Sequence, residues 1–358
     1  MQKRKGVTLS SPADINSISE FLLHAGTNFQ VFDMGRGIQA IPTQTFLNWE
    51  NAAEVIPRPR QQHAWFGIVF WQGEASEARF IWFIKLPVDE QGLLVSAARN
   101  HFLQIVLEAL GESLNNSEKE FELPDNPYVF KPAQLLMAQF GALCRKTLHL
   151  PACEDSLKVI NYLKQNGDVS WQELSVQGIA DVCLRLHEFE LESAICTNFD
   201  SYPTPVKKAL LESLETAALS DNVNHLIETE LKKHDEETFH AALQGLHAES
   251  ASPNIQRIVG EILEREESKN LDTLSILAAR HYTQFTPALT KQFLTLCAQF
   301  DEQENYNGAL FAGFFSDLVQ LPYLRQSVLT LLRSADRSEV LSKAIGKLFS
   351  QTQGQLNS

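Results

Sequence analysis

Hydrophobic and polar positions fall into two regimes along this chain. Up to about residue 110 the pattern alternates between short helical and strand-like periods; beyond residue 132 it is helical throughout. In the first regime, DINSISEFLLHAG (13–25) has helical spacing and stops at Gly26. FQVFD (29–33) and GIQAI (37–41) read as strands around the turn Met34-Gly35-Arg36, with Gly35 and Gly37 supplying backbone freedom. Phe46, Leu47 and Trp49 lie on a short helix, and the prolines of IPRPRQQ (56–62) forbid one there. Two runs, 64–72 and 79–86, are almost continuously apolar, which predicts paired strands covered on both faces.

Residues 90–110 carry a strong helical pattern: Leu93, Leu94, Ala97, Ala98, Phe102, Ile105, Val106 and Leu110. Asp89 is the expected N-cap and Gly111 the expected stop. The second regime holds thirteen helical blocks, near 133–149, 154–165, 171–188, 190–198, 205–218, 221–233, 236–247, 254–267, 271–282, 287–300, 307–317, 322–333 and 338–350. Pro151, Gly167-Asp168, Pro203, Pro205, Pro253, Pro287 and Pro322 punctuate them.

The expected architecture is an α+β N-terminal domain (1–120), a proline-rich linker (121–132) and an all-α, HEAT-like helical array, an α-solenoid, over 133–358. LSVQGIADVCLRL (174–186), FHAALQGLHAE (239–249) and GALFAGFFSDL (308–318) set small beside large apolar residues on one helical face. They share no strict repeat consensus, so the array is inferred from helix length and spacing. The polar, proline-bearing stretch from Asn115 to Lys131 is the expected site of proteolytic cleavage.

Charge sharpens the division. Residues 1–150 hold 13 basic and 15 acidic side chains; residues 151–358 hold 17 and 29, so −12 of the total −14 lies in the helical part. Such a surface repels phosphate backbones and anionic lipid. No nucleic-acid partner is therefore expected, and a basic face made of Arg58, Arg60 and Arg79 would be needed to reverse that. No run reaches the roughly 18 apolar residues of a membrane helix, and the basic start (Lys3, Arg4, Lys5) lacks the apolar stretch of a secretory signal. Five cysteines, odd in number and without a CxxC pair, read as small apolar residues of a reducing, cytoplasmic setting.

Reaction signatures are thin. Gly35-Arg36-Gly37 lacks the third glycine and the helix of a dinucleotide fingerprint, so it reads as a turn. His240, His247 and His234, with Asp235–Glu237, lack the close spacing of a zinc site, and no metal or cofactor is expected. Glu261, Glu264, Glu266 and Glu267 read as a solvated helix face.

The notable polar group lies at one end of the strands: Asp33, Arg36, Lys85, Asp89, Glu90 and Gln91. It reads either as an internal ion pair, Lys85 with Asp33 or Asp89 plus a helix cap, or as a charged cluster that grips a ligand or partner.

FQVFDMGRGIQAIP (29–42), HAWFGIVFW (63–71), FIWFIKLPVDEQGLL (80–94) and the segment 174–186 together resemble an uncharacterised gammaproteobacterial family, a domain of unknown function. FDMGR and PVDEQGLL are its most specific parts. The resemblance covers nearly the whole chain and implies a bacterial, cytosolic protein whose halves work as one unit. It implies no catalytic residues. The expected role is a non-enzymatic adaptor binding another protein through the acidic array, with Phe311, Phe314, Phe315 and Tyr323 as anchors. The alternative is an enzyme or small-ligand binder at the Asp33/Arg36/Lys85/Asp89 end of the sheet.

Overall fold

The computed structural model describes residues 16–356 apart from 77, 116–122, 166–168, 234 and 248–249. Lys3, Arg4, Lys5, His234, Gly167-Asp168 and the first two linker positions therefore lie outside the described residues. Four antiparallel strands, β1 (Asn28–Asp33), β2 (Gln39–Ile41), β3 (His63–Trp71) and β4 (Phe80–Pro87), form one sheet in the order β2-β1-β3-β4. Helices α1 (Ile18–His24), α2 (Thr43–Glu50) and α3 (Ser96–Asn115) belong to the same half. Thirteen more follow among the described residues: α4 (Gln134–Thr147), α5 (Ser156–Leu163), α6 (Val176–Leu184), α7 (Glu192–Asn198), α8 (Thr204–Ser213), α9 (Asp221–Lys233) and α10 (Phe239–Gly245). The rest are α11 (Pro253–Leu263), α12 (Leu271–Arg280), α13 (Pro287–Gln303), α14 (Ala309–Val319), α15 (Pro322–Leu331) and α16 (Glu339–Leu356).

Both sheet faces are covered, which is why β3 and β4 are apolar without alternation. One face packs Phe66, Ile68 and Ile84 against Phe46 and Trp49 of α2, Ile18 and Leu22 of α1, and Phe102 and Val106 of α3. The other packs Phe32, Val69 and Met34 against Phe140 and Cys144 of α4. Gly67 makes the second contact possible: a Cβ there would lie 2.4 Å from the Phe140 ring.

Two expectations about local structure change. The helix expected from residue 90 begins at Ser96 and runs through Gly111 to Asn115. Asp89 instead closes a turn, its Oδ1 accepting from the amides of Gln91 (2.9 Å) and Leu93 (2.8 Å). Gly92 has φ of +83°, a backbone state that ends a turn rather than continues a helix. Secondly, the described part of the proline-rich segment is stitched to the edge of β4. The Lys85 amide donates to Tyr128 O (2.7 Å), the Phe130 amide donates to Phe83 O (3.1 Å), and Val129 bridges Ile84.

The helices pack in two rows. In one, α4 lies on α6, α6 on α8, α8 on α10 and α10 on α12; in the other, α5 contacts α7 and α7 contacts α9. α5 and α9 cross to α6 and α10, and from α5 onward the rows share one apolar core, while α4 packs on α6 through Ala138, Ala142, Ala180 and Leu184. Farther on, α13 gathers α14, α15 and α16 around itself. Caps mark the starts: Asn270 accepts from Thr273 N, Thr286 from Leu289 N, and Asp301 of α13 from Gly308 N and Phe311 N ahead of and inside α14. Close approach needs small residues, as at Gly245 of α10, where a Cβ would sit 2.3 Å from Leu211 O of α8.

Candidate functional site

The sheet end that carries Asp33 faces the helical array, and the side chains there are spent on that contact. Arg36 is buried. Its Nε donates to Pro59 O (2.9 Å), Nη1 to Ala278 O of α12 (2.7 Å), and Nη2 to Asp317 Oδ2 of α14 (2.7 Å). The guanidinium carbon also lies 5.4 Å from the centre of the Tyr282 ring. Asp317 uses its other oxygen to accept from the Gln61 amide (2.8 Å). Four residues of the turns therefore reach three separate places on the array: Gly37 lies against Glu215, Arg36 and Gln61 hold α12 and α14, and Glu90 O accepts from Arg325 of α15 (2.5 Å).

Asp33 is buried with Oδ1 accepting from Gly35 N (2.8 Å) and Oδ2 3.9 Å from Arg58 Nε. Burial pushes its carboxyl above the usual range, while Arg58, the Gly35 amide and Arg36 pull it back. Arg58 donates in turn to Arg36 O and to Gln39 Oε1.

Lys85 does not join this group. Asp33 lies opposite Phe66 and Lys85 opposite Trp65. Cross-strand partners share a face and neighbours along a strand do not, so the sheet separates the two. Lys85 Nζ instead sits 5.5 Å from the Trp65 ring centre. Asp89, Glu90 and Gln91 form the turn described above, and the Glu90 carbonyl reaches the array. The structure thus gathers Asp33 and Arg36, places Glu90 at the rim, and sets Lys85 on the opposite face.

The other residues at the seam come from sequence positions without any local signal. Glu215 is buried beside Arg280 Nε (2.5 Å) and accepts from Gln244 Nε2 (2.6 Å). Arg60 follows Pro59 and precedes Gln61, so the two groups that bind Arg36 and Asp317 flank it in the chain. The residue as a whole is exposed. Desolvation in the seam first, then Arg280 and Arg36, hold it below its ordinary value against the pull of Asp317. Arg79 lies beyond the far end of β4 and does not share a face with Arg58 and Arg60.

Two open grooves lie on the helices themselves. One of about 610 Å³ runs between α7 and α9, with Cys196, Phe199 and Leu226 below and Glu192, Asp200 and Glu230 around it. Lys233 bridges Asp200 (2.6 Å) and Glu230 (2.5 Å) there. The other, about 590 Å³, lies between α11, α13 and the approach to α16, where Lys291 holds Asp336.

Among the expected anchors, Phe311 and Phe315 are core, Phe314 is part-buried on Phe293, and Tyr323 is 58% exposed. His240 pairs with Thr273 and His247 with Gly245 O, on separate partners. The buried thiols of Cys144 and Cys183 are both pushed up to about 12 by desolvation, which leaves them protonated and unreactive.

A family described as "Protein of unknown function (DUF3549)" matches residues 13–349, the sheet half and the array together. The chain belongs to that family. No curated protein and no solved structure matches it. No described helix is long and apolar enough to cross a membrane.

Proposed function

We propose that this member of the family is a non-enzymatic, cytosolic bacterial protein that binds another protein through a HEAT-like, solenoid array of helix pairs. The observation that carries the reading is the two-row packing, in which helices contact their next-but-one neighbours and leave open grooves between successive members of a row. Stacked helix pairs present extended surfaces of this kind. The groove between α7 and α9 combines an apolar floor with three carboxylates against one lysine, which suits a basic segment with apolar anchors. Arg36, one of the polar residues at the sheet end, is held by Pro59 O and by α12 and α14 of the array.

The test uses the full chain, because α4 packs on the sheet and cutting before it would expose Phe140. A partner is first isolated from the native host with the tagged protein, then purified and titrated against wild type and two groove variants. Leu226→Arg and Thr229→Arg should weaken binding about tenfold or more, whereas Tyr323→Ala tests the separate α15 anchor. Unchanged affinity in all three would overturn the reading.

A further inference from the structure

We propose that the seam between the sheet and the array is an oxyanion-binding site, built on Arg60 with Arg280, for a small molecule bearing phosphate or carboxylate groups. The seam gathers four guanidinium groups, Arg36, Arg58, Arg60 and Arg280, and three carboxylates, Asp33, Glu215 and Asp317.

The carboxylates are committed. Asp317 spends one oxygen on Arg36 and the other on the Gln61 amide. Glu215 holds Arg280 and Gln244, and Asp33 holds the Gly35 amide and Arg58. Each of the three nitrogens of Arg36 donates to one acceptor, Pro59 O, Ala278 O and Asp317 Oδ2. Arg60 alone of the four makes no side-chain hydrogen bond or ion pair among the described residues, and it is the one that stays exposed. A fork of donors beside like charges, with no acceptor left, is what a bidentate oxyanion satisfies.

The backbone presents Arg60 at a cost. Arg60 and His63 exchange both of their backbone hydrogen bonds (2.9 and 3.0 Å) across a two-residue turn, Gln61-Gln62. Both turn residues have positive φ, +49° and +62°. A hairpin turn of this geometry favours Asn-Gly or Gly-Gly; two glutamines pay a steric penalty that the surroundings must hold in place. Three contacts hold the turn: Pro59 O accepting from Arg36, Gln61 N donating to Asp317, and Trp65 Nε1 donating to Arg60 O (3.0 Å). They fix the base of the Arg60 side chain at the mouth of the seam. The charge is also local. The whole chain carries −14, yet the four arginines and three carboxylates of the seam sum to one positive charge, which favours an anion entering there.

The probes are inorganic phosphate, pyrophosphate and citrate, read by thermal shift and titration calorimetry on the full chain at constant ionic strength in sodium chloride. A saturable rise in melting temperature with at least one probe is expected. Pyrophosphate alone points to a phosphate ligand, citrate alone to a polycarboxylate, and both to the shared oxyanion chemistry. Arg60→Gln should weaken binding about tenfold or more, and Arg60→Lys should weaken it less, by losing the fork but keeping the charge. Without any probe, Arg60→Gln should melt no lower than wild type, because the like charges beside it are relieved. That separates loss of binding from loss of fold. Arg257→Gln, on the exposed face of α11, should keep the full response. The groove variants Leu226→Arg and Thr229→Arg should keep it as well, so failure here and failure of the protein-binding reading are distinguishable. The proposal is overturned by no response beyond that of sodium chloride, or by an undiminished response in Arg60→Gln. It is equally overturned if a single-stranded RNA oligonucleotide binds through Arg60 while all three small anions do not.

Discussion

Arg36 and Asp317 stand 281 residues apart in sequence and 2.7 Å apart in space. One leaves the turn after β1, the other the last turns of α14, and the arginine side chain is wholly shielded from solvent. This pair locks the small sheet to the far part of the array, while α4 packs on the sheet at the array's beginning. The N-terminal half is therefore held by α4 and again by α12 and α14.

Removing one partner of such a pair strands the other in a poorly hydrated place. Arg36→Ala should destabilise the full chain by about 3–5 kcal/mol, because Asp317, Ala278 O and Pro59 O lose their donor together. Asp317→Asn, which keeps an acceptor, should cost about 1–3 kcal/mol. Arg36→Lys should not rescue, since one ammonium cannot reach three acceptors set in different directions. Denaturant unfolding checks the order, and an Arg36→Ala loss under about 1 kcal/mol would contradict the account.

Asp89 acts as a turn closure. Asp89→Ala should cost about 0.5–1.5 kcal/mol by freeing the Gln91 and Leu93 amides, and Asp89→Asn much less, because an amide oxygen can still accept. Equal losses in the two variants would mean that the charge itself matters. The amides of Lys85 and Phe130 should be slow in hydrogen exchange, which measures how firmly the 128–130 segment is held on β4.

Two helical glycines should answer a methyl group with opposite signs. Gly245→Ala drives a carbon to 2.3 Å from a backbone oxygen of α8 and should cost about 1–3 kcal/mol, with no nearby side chain to yield. Gly313→Ala meets nothing within 4 Å on an exposed face of α14 and should stabilise by about 0.5–1 kcal/mol. Thermal melts of the two variants settle both signs.

His281 gives a pH dependence. It is buried after α12 with Nε2–H donating to Leu243 O (2.8 Å), and desolvation lowers its pKa to about 4 from 6.5. Below pH 6.5 the unfolded chain's histidine takes up a proton that the folded one refuses until about pH 4. Stability from this residue is therefore full above 6.5 and falls as the pH drops through that window, by up to about 3 kcal/mol. Comparing wild type with His281→Gln by denaturant unfolding at pH 7 and pH 5 reads the effect. The wild type should lose more on acidification; an equal loss would remove His281 as its source.

Local periodicity by itself determined the elements. Each of the thirteen expected helical blocks overlaps a helix, and the strands lie within two residues of their expected bounds at each end, because side-chain spacing and backbone hydrogen bonding are local properties. The unbroken apolar character of β3 and β4 also told that both faces are covered. The start of α3 is not legible because Asp89 followed by an apolar pattern is equally a turn and a cap; the positive φ of Gly92 makes it a turn. Pairings between distant segments could not be read. By sequence Arg36 is a turn residue and a member of a charged cluster, and its three acceptors come from a loop and two helices that no local pattern connects to it. Asp33 and Lys85 looked like partners because both end a strand, yet the register of β3 between them puts them on opposite faces. Sequence spacing fixes which residues can form an element, whereas the competition for buried hydrogen-bond partners among elements hundreds of residues apart is decided only when the chain is packed.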